Sequence, residues 1–499
     1  MFISCTHGFS CIFRLNNFVV TTLLLEENPE YFLYSTDRLL YTKGSRFELA
    51  QGLSRPLDLR PFSSSSGDAR QGLSLWSAEI LICFPSVCMP KERVVASLDI
   101  GSAKIRTVIA VVDGAEGERR TPNVIGVGIS PSLGMRKGHV IDVEELIHNI
   151  ISSLEDAERM AGVPVNHVFV GMSGSHIEAF DSRGVIAISG SEITVEDIGR
   201  VLDAAQAVSI PQNRRILHIE PKAYAVDEQK GIKNPLGMTG IRLEVEAHII
   251  TGHIQHVKNI EKCIDQAGVD IDALVPATIA AAEATLTKRQ KELGVVVIDI
   301  GAGCTSIAVF EEGTILHSVC LPIAGESVTS DVAIGLRTSI DTAEKIKIEY
   351  GSVLPGEMNE REMIDLSSVS KVDTQTVSKK YMAEIMQARY FEIFSLIKAE
   401  LMRIGRSGML PAGAILTGGA VKAPGVLDLA RDVLGLPVQM GFPVDIGGVI
   451  EKVDDPAYAT ALGTLVWGVR EDEQGGMRSN FQVKRALQGA TSWVRSLFP

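Results

Sequence analysis

The sequence contains no apolar run of the roughly 18 residues that a membrane-spanning helix needs. The best N-terminal candidate, Phe18 to Leu25, is short and lacks both a basic leader and a small-residue cleavage site. We therefore expect a chain that neither spans a membrane nor is secreted. Positive charge is also in deficit, because the 499 residues carry a formal net charge of −13 at pH 7. A general nucleic-acid binder needs a basic face, so we expect no nucleic-acid partner.

Cysteine is sparse and irregular. The chain has seven cysteines, an odd number, and four of them precede residue 89. Their spacing matches neither a disulfide framework nor a metal-ligand pattern, which is typical of a protein in a reducing cytosol. With 45% hydrophobic and 22% charged residues the composition is that of a globular protein, and the length favours two or more packed lobes.

The first 88 residues differ from the rest of the chain. Their apolar residues show no sustained period, and Ser63 to Gly67 form a low-complexity run. From Met89 a short polar stretch leads into Val94 to Leu98, which has the pattern of a buried strand. We hypothesise that Met89 is the true start and that residues 1–88 are a gene-model artefact or a disordered tail. N-terminal sequencing of the native protein would contradict this if it found a peptide from residues 1–80.

The rest of the chain has the pattern of an α/β fold with an internal repeat. Strand-like runs such as 108–112 and 168–170 alternate with a helical apolar period between Val143 and Leu154. The stretch Leu98–Lys104, LDIGSAK, returns as Ile298–Thr305, IDIGAGCT. Each copy follows one apolar strand and precedes another, so we expect two equivalent lobes that face one another.

Each copy of the repeat delivers an aspartate to a tight turn of small residues, where backbone N–H groups can approach phosphate oxygens. Two such turns can hold one polyphosphate between them. Asp99 and Asp299 would orient waters around a bridging Mg²⁺ ion, and Lys104 would neutralise phosphate charge. A third element, Ile415–Ala420, ends a strand in two glycines against which a base or ribose can lie.

Each pattern alone is usually an ordinary strand end, whereas the three together and in this order favour a nucleotide site. The candidate residues are Asp99, Gly101, Ser102, Ala103, Lys104, Asp299, Gly301, Ala302, Gly303, Cys304, Thr305, Gly418, Gly419 and Ala420. With these motifs, the chain from about Met89 to Pro499 resembles the actin, Hsp70 and sugar-kinase superfamily, and within it the bacterial cell-division family FtsA. The stretches Gly134–Gly138 and Gly231–Pro235 are also similar to that family.

The resemblance implies an α/β, actin-like two-lobed fold of ribonuclease-H-like repeats with an FtsA-type 1C subdomain, and it implies binding of ATP and Mg²⁺. The implied ranges are 89–173, 248–291 and 455–470 for subdomain 1A, 174–247 for 1C, 292–325 and 412–454 for 2A, 326–411 for 2B, 471–479 for a linker and 480–499 for a C-terminal amphipathic helix. Within 1C we predict a helix from Val195 to Val208, with Thr194 as its N-cap and Glu196 and Asp197 in its first turn.

Three further site residues follow from the resemblance. In related proteins a glutamate and a lysine on a helix contact the ribose and purine, and Glu344 and Lys347 match that spacing. The alternative for this pair is a solvated helix face. In 2B, Arg389 matches a family arginine implicated in docking the C-terminal peptide of the tubulin-like division protein FtsZ. Its alternative is an exposed structural arginine.

The chain also departs from the family pattern. Cys304 stands where the family commonly carries threonine, and Ala302 stands where it often carries glycine. The stretch Pro276–Ala281 offers no glutamine to orient an attacking water, and the nearest acid, Glu283, lies further along. We therefore expect no catalytic residue and slow hydrolysis at most, with nucleotide acting as a conformational or assembly ligand.

The C-terminal end has the pattern of an amphipathic helix. After the polar residues 471–476, apolar side chains recur with helical spacing and fall within an arc of about 140°. Lys484, Arg485 and Arg495 lie on the other side, which favours binding to anionic lipid over a helix docked on the protein body. The predicted lipid-contacting residues are Val483, Leu487, Trp493, Val494, Leu497 and Phe498.

These expectations combine into one function. The chain would be an ATP-binding cell-division protein that polymerises on the cytoplasmic face of the inner membrane at the division site, as a peripheral protein. Its partners would be the FtsZ C-terminal peptide, copies of itself, other division proteins through 1C, and anionic lipid. Two alternatives stay open. A pilus-assembly adaptor would share the body but normally lacks the amphipathic end, and a small-molecule kinase would need a carboxylate base in the cleft.

Overall fold

The computed structural model describes residues 93–473, except 113–120, 208–209, 372, 374, 445 and 449. Before residue 93 it describes six strands only. The chain divides into two compact units, residues 1–88 and 89–499. This boundary coincides with the change of pattern at Met89. The residues predicted to contact lipid, Val483 to Phe498, lie outside the described part of the chain.

The first unit contains an antiparallel sheet in which each strand pairs with the next. Its strands are β1 Phe2–Ser4, β2 Phe9–Leu15, β3 Phe18–Leu24, β4 Tyr31–Ser35, β5 Arg38–Thr42 and β6 Phe47–Leu49. The connections between these strands are short, since Leu15 pairs with Phe18 and Ser35 pairs with Arg38. The prediction that residues 1–88 are a mis-called start or a disordered tail stays a prediction.

The second unit mixes strands and helices, which confirms the α/β class. Its strands are β7 Arg93–Ile100, β8 Lys104–Val112, β9 Pro122–Pro131, β10 Met135–Arg136, β11 His139–Val140, β12 His167–Met172, β13 Ile177–Ala187, β14 Arg214–Val226, β15 Gln229–Ile232, β16 Arg242–His253, β17 Asp270–Pro276, β18 Val295–Ile300, β19 Thr305–Glu311, β20 Thr314–Leu321, β21 Met363–Asp365, β22 Thr376–Ser378, β23 Ala414–Thr417, β24 Val438–Met440 and β25 Gly447–Gly448. Its helices are α1 Val143–Ala161, α2 Val195–Gln206, α3 Ile254–Gln266, α4 Ala277–Thr285, α5 Lys288–Leu293, α6 Gly325–Leu336, α7 Ile340–Tyr350, α8 Lys379–Arg403, α9 Val426–Leu434, α10 Ile450–Val453 and α11 Ala459–Glu473.

Two sheets share one topology, which confirms the internal repeat. The first sheet has the order β9-β8-β7-β12-β17, with β25 added beside β9, and the second has the order β20-β19-β18-β23-β24. In each sheet the strand that carries the aspartate, β7 or β18, runs antiparallel to the next strand and parallel to a later one. The unit is therefore built of two equivalent ribonuclease-H-like lobes.

Helix α1 covers the first sheet with the face that the sequence period predicts. Asp142 caps it by accepting a hydrogen bond from the Glu145 N–H, and its apolar period, Leu146, Ile150 and Leu154, is buried. Each such side chain contributes about 1.5–3 kcal/mol on full burial. The helix approaches β9 closely because the strand has glycine at 128, where a Cβ would lie 1.8 Å from the Ser153 carbonyl oxygen.

Subdomain 1C is a second, antiparallel layer inserted in the first lobe. Its sheet has the order β13-β16-β14-β15, and α2 packs on it through Val201 and Ala205. The predicted N-cap is confirmed, since the Thr194 hydroxyl accepts from the Asp197 N–H and the Asp197 carboxylate accepts from the Thr194 N–H. The helix ends at Gln206, two residues before the predicted end.

The last helix returns the chain to the first lobe. Helix α11 buries Leu462 and Leu465, and its Ala461 carbonyl accepts a 2.8 Å hydrogen bond from the Ser97 hydroxyl on β7. It continues to Glu473, so residues 471–473 of the predicted linker are helical. None of the helices in the described residues is long and apolar enough to cross a bilayer.

Candidate nucleotide site

The two repeated motifs form equivalent turns. The Gly101 N–H donates to the Lys104 carbonyl at 3.2 Å, and the Gly301 N–H donates to the Cys304 carbonyl at 3.1 Å. Each bond closes the hairpin that follows the aspartate-bearing strand. The sequence repeat is therefore a repeat of backbone geometry, and each turn presents small residues at the carboxyl end of its strand.

The two turns face each other directly. A Cβ on Gly303 would lie 2.4 Å from Ser102 Oγ and 2.8 Å from the Cα of Lys137, so residue 303 has no room for a side chain. The Gly138 N–H donates to Ser102 Oγ at 3.2 Å, which fixes the first turn from the side. The family-like stretch Gly134–Gly138 thus supports the same site.

Two buried carboxyl groups stand at the carboxyl ends of the paired strands. Asp99 is 8% exposed, and its Oδ2 lies 3.6 Å from the Arg106 guanidinium. Burial raises the pKa of Asp99 to about 7, although Arg106 opposes the rise and the charge of Asp299 adds to it. Burial likewise raises the pKa of Asp299, against a 2.8 Å hydrogen bond from Thr460 and the charge of Arg106.

This carboxyl pair fits a divalent cation. Burial raises the pKa of both acids, and the one guanidinium beside them only partly offsets this rise. A nearby Mg²⁺ ion would supply positive charge and favour the ionised carboxylates. Asp99 and Asp299 are the residues that would hold Mg²⁺, and their role as a magnesium site stays a prediction.

The glycine pair of the third motif lies beside the second turn. Strand β23 runs parallel to β18 with Thr417 opposite Asp299, and the chain then enters Gly418 at φ 94°. A Cβ on Gly418 would lie 2.3 Å from Asp299 Oδ1, whereas a Cβ on Gly419 would meet nothing closer than 3.9 Å. Only glycine allows this approach, and Gly419 leaves open space beside the backbone.

The first residues of helix α6 bond to the second turn. The N–H groups of Gly325 and Glu326 donate to the carbonyls of Gly301 and Ala302 at 3.1 and 2.8 Å. The helix N-terminus thus adds a partial positive charge beside the turn.

Glu344 and Lys347 belong to α7, and the Lys347 side chain reaches the first turn of α6. Lys347 Nζ donates to the Gly325 carbonyl at 3.3 Å, to Thr329 Oγ1 at 2.7 Å and to Glu344 Oε2 at 2.6 Å. The Lys347 side chain is 14% exposed and that of Glu344 is 45% exposed. The pair therefore belongs to the surroundings of the second turn and is not a freely solvated helix face.

The side chains of Cys304 and Thr305 already have hydrogen-bond partners within the protein. Both are buried, and Thr305 Oγ1 donates to the Ile323 carbonyl at 2.7 Å. A hydrogen bond with Cys320, together with burial, raises the pKa of the Cys304 thiol, so that thiol is neutral. Cys304 offers a phosphate no hydroxyl donor, but the backbone N–H groups of the turn remain, so the replacement of threonine by Cys304 is a mild departure.

The first turn ends in exposed residues. Lys104 is exposed at the first position of β8, and the Ala103 carbonyl accepts a 2.9 Å hydrogen bond from the Ser132 N–H. An exposed ammonium group on a flexible stem can reach a phosphate without first breaking an internal ion pair.

The acid nearest to the water-orienting position is already engaged. Glu283, on α4, pairs with Lys291 at 2.7 Å and also with Arg470. Burial lowers the pKa of Lys291 to about 8. A carboxylate held by two cations is a poor candidate for orienting water.

Comparison with known proteins identifies the family. A family model described as cell division protein FtsA matches residues 296–463, and one described as the SHS2 domain inserted in FtsA matches residues 174–251. FtsA of Pseudomonas aeruginosa is 39% identical over 383 residues, which is 77% of this chain and 91% of that protein. This chain belongs to the FtsA family. It is therefore an actin-like cell-division protein, and the pilus and kinase alternatives are not favoured.

Other FtsA relatives agree with this assignment. The protein of Bacillus subtilis is 37% identical over 403 residues, covering 80% of this chain and 89% of its own, and that of Escherichia coli is 34% identical over 415 residues, covering 81% and 97%. A chain of a solved PilM-PilN type IV pilus biogenesis complex has a TM-score of 0.55 at 17% identity, over 75% of this chain and 98% of that one. This last likeness shows the actin-like fold alone.

Arg389, the candidate partner residue of this FtsA-family chain, lies on α8. Its guanidinium donates to Asp331 Oδ1 of α6 at 2.9 Å and also contacts Glu392 on its own helix. Its side chain is 24% exposed. A peptide carboxylate would therefore have to compete with two internal carboxylates for this arginine.

Sequence reasoning missed three residues of the site. Thr460 bonds Asp299 from 161 residues away, and no local pattern points to it. Arg106 pairs with Asp99 across the β7–β8 hairpin. Counting paired positions outward from the turn would have predicted that these two residues are neighbours. Glu326 follows the helix start of α6, where burial raises its pKa against the charges of Arg136 and Lys137.

Proposed function

We propose that this FtsA-family chain binds ATP with Mg²⁺ between its two lobes and assembles into filaments on the cytoplasmic face of the inner membrane, where it anchors the FtsZ ring. The observation that carries the nucleotide part is the close approach of two equivalent glycine turns, Ser102 against Gly303, with Asp99 and Asp299 behind them. ATP supplies a polyphosphate for both turns at once, so its binding joins the two lobes.

Each part of the nucleotide has residues that suit it. The backbone N–H groups of the two turns and Lys104 suit the phosphates, and the two aspartates suit a hydrated Mg²⁺ ion. The open backbone at Gly419 suits the base, and the polar pair Glu344 and Lys347 suits the ribose. Because Glu283 is engaged by Lys291 and Arg470, nucleotide serves as an assembly ligand and is hydrolysed slowly at most.

The membrane part of the proposal rests on the sequence of residues 480–499. If six apolar side chains each gain ~1 kcal/mol on half burial and three cations each add ~1 kcal/mol, the gross attraction is ~9 kcal/mol. Ordering the helix and immobilising the protein consume much of this, so one helix binds weakly. A filament presents many helices in a row and binds by avidity, so assembly and membrane attachment reinforce each other.

Two surfaces serve protein partners. In 2B, the FtsZ C-terminal peptide docks on the α6 and α8 face at Arg389, which offers a bidentate donor to a carboxylate. In 1C, large apolar side chains face solvent, with Ile241 77% exposed and Leu236 47% exposed. Exposed apolar groups on a small inserted subdomain suit contacts with other copies or other division proteins.

Co-sedimentation with anionic liposomes tests this proposal. The full chain and a chain truncated after Glu473 are compared with and without ATP and Mg²⁺. The full chain should pellet with liposomes, more completely with ATP and Mg²⁺, and the truncated chain should stay in solution. Equal pelleting of both chains would contradict the lipid anchor. If the full chain pelleted to the same extent with and without ATP and Mg²⁺, nucleotide-linked assembly would be contradicted.

A further inference from the structure

Four of the ten histidines of the chain meet at the base of 1C, where the chain leaves and re-enters the first lobe. His139 lies in β11, His176 directly precedes β13, His253 ends β16, and His256 is in the first turn of α3. The ring centroid of His256 lies 4.3 Å from that of His139, 5.2 Å from that of His176 and 5.1 Å from that of His253. None of these rings takes part in the proposed nucleotide or lipid contacts.

The cluster contains buried ring nitrogens without hydrogen-bond partners. His176 is 6% exposed, and neither its Nδ1 nor its Nε2 has a partner among the described residues. The same holds for Nδ1 of His253. A buried polar atom without a partner costs about 1–3 kcal/mol, so three of them at one place point to a ligand.

The charges around the cluster select the kind of ligand. The charged or titratable groups that act on His176 are the other three histidines and Arg214, whose guanidinium donates to the His176 carbonyl at 2.8 Å and pairs with Glu178 at 2.9 Å. Burial first, and then its neighbours, lower the pKa of His176 to about 3. The pKa of His256 is also lowered, by burial and then by His139 and His253. Imidazole nitrogen is a ligand that suits borderline transition metals, so an ion of this class is the ligand that four adjacent rings can bind.

The geometry of His139 matches that of a metal ligand. Its Nε2 lies 3.1 Å from Ser175 Oγ, and its Nδ1 forms a 3.1 Å hydrogen bond with Nδ1 of His256, which a shared metal ion would replace. Two imidazole nitrogens bound tetrahedrally to one zinc ion lie about 3.3 Å apart. A ligating histidine usually donates its other N–H to a second group, and Ser175 is placed to accept it.

The His176 ring lies beside this pair, with its centroid 5.4 Å from that of His139 and 5.2 Å from that of His256. The same ring lies against Gly174, where a Cβ would be 2.5 Å from Nδ1. In the described residues no three histidine, cysteine, aspartate or glutamate side chains surround one point at ligand distances. A shared ion would therefore require the rings of His176 and His253 to rotate toward the other two.

We propose that His139, His176, His253 and His256 form a binding site for a divalent transition metal of the zinc class, at the junction of 1A and 1C. The ion would join β11 and α3 of the first lobe to the two chain segments that enter and leave 1C. Its effect is to fix the orientation of 1C relative to 1A, independently of nucleotide.

The test uses the full chain, treated with chelator and then titrated with Co²⁺, whose visible absorption reports imidazole ligation, and with Zn²⁺ in a thermal melt. We expect one equivalent of Co²⁺ per chain with a tetrahedral-type spectrum, and a higher Tm with Zn²⁺. His176→Leu should bind Co²⁺ at least about tenfold more weakly, because a ligand is lost. Since this change also removes two unpaired buried nitrogens, the metal-free variant should melt no lower than the parent.

Matched variants separate this site from surface binding. His148→Gln and His167→Gln change exposed histidines outside the cluster and should leave Co²⁺ binding unchanged. Ser175→Ala keeps all four rings and should weaken Co²⁺ binding about tenfold by removing the acceptor of His139. Should His176→Leu fail to fold, His256→Asn gives the same readout. Equal Co²⁺ affinity in the parent and in the folded cluster variants, or no spectrum and no Tm shift in the parent, would overturn the proposal.

Discussion

Thr460 Oγ1 donates a 2.8 Å hydrogen bond to Asp299 Oδ2 across 161 residues of chain. This bond joins α11, which packs on the first lobe, to the turn of the second lobe. One face of the candidate nucleotide site is thereby built from both halves of the repeat. Through such a contact, a ligand bound at the turns can change the orientation of one lobe relative to the other.

Thr460→Val should lower stability. The change removes a hydrogen bond to a buried carboxyl group, which is worth about 1.5–3 kcal/mol when the acceptor is charged, and Tm should fall visibly. Thr464→Val is the matched control one turn further along α11. Thr464 Oγ1 is buried and has no hydrogen-bond partner among the described residues, so its removal should be neutral or stabilising. Equal Tm losses in the two variants would show that the hydrogen bond to Asp299 makes no contribution of its own to stability.

Gly303→Ala should weaken ATP binding about tenfold or more while the chain stays folded. A Cβ at this position meets Ser102 Oγ at 2.4 Å and would force the two turns apart, and small displacements at a binding site are costly. Gly199→Ala serves as control, since a Cβ there meets nothing within 4 Å on helix α2 and should stabilise the helix by ~1 kcal/mol. If Gly303→Ala bound ATP as tightly as the parent in a calorimetric titration, the turns would not be the phosphate site.

Arg389→Glu should abolish binding of a labelled FtsZ C-terminal peptide without changing ATP affinity. The reversal removes the donor for a peptide carboxylate and adds a charge beside Asp331. Arg403→Glu is the matched control, because Arg403 lies on the same helix and pairs with Glu400 three residues before it. Fluorescence anisotropy measures the peptide affinity of both variants, and melting checks their folding. Equal peptide affinity of Arg389→Glu and the parent would remove this arginine from the docking site.

Replacing both Trp493 and Leu497 with Glu should abolish liposome binding at unchanged Tm. The two carboxylates would enter the apolar face of the predicted helix, where burying an ionised group costs more than the remaining side chains recover. ATP affinity should match that of the parent. If the segment instead docks on the protein body, the same change would lower Tm by several degrees, since about 1–3 kcal/mol of packing would be lost. That result, with no lipid binding by the parent, would refute the anchor.

The features that sequence predicts well here are local. The pattern of strand, aspartate and glycine repeats around Asp99 and Asp299 because each hairpin needs the same tight turn. This repeat predicted the two-lobed fold. The three- and four-residue period between Val143 and Leu154 predicted α1, and Thr194 with Asp197 predicted the start of α2.

The features that sequence does not predict depend on packing between distant segments. Arg389 was considered as a peptide donor, but α6 brings Asp331 to it from 58 residues away. Glu283 was the nearest acid to a missing glutamine, but α11 brings Arg470 onto it. The histidines at 139, 176, 253 and 256 have no ligand-like spacing, and they meet because strands β13 and β16 enter and leave 1C at one place.

The central claim, that two turns hold ATP through a Mg²⁺ ion, is tested most directly by calorimetric titration of ATP into the parent and into Asp299→Ala, each with Mg²⁺ and with EDTA. Asp299→Ala removes one of the two buried carboxyls that would orient the metal shell, so ATP affinity in Mg²⁺ should fall strongly while Tm shows a folded chain. In EDTA the two proteins should bind ATP equally weakly. Equal affinity of parent and variant in the presence of Mg²⁺ would contradict the account.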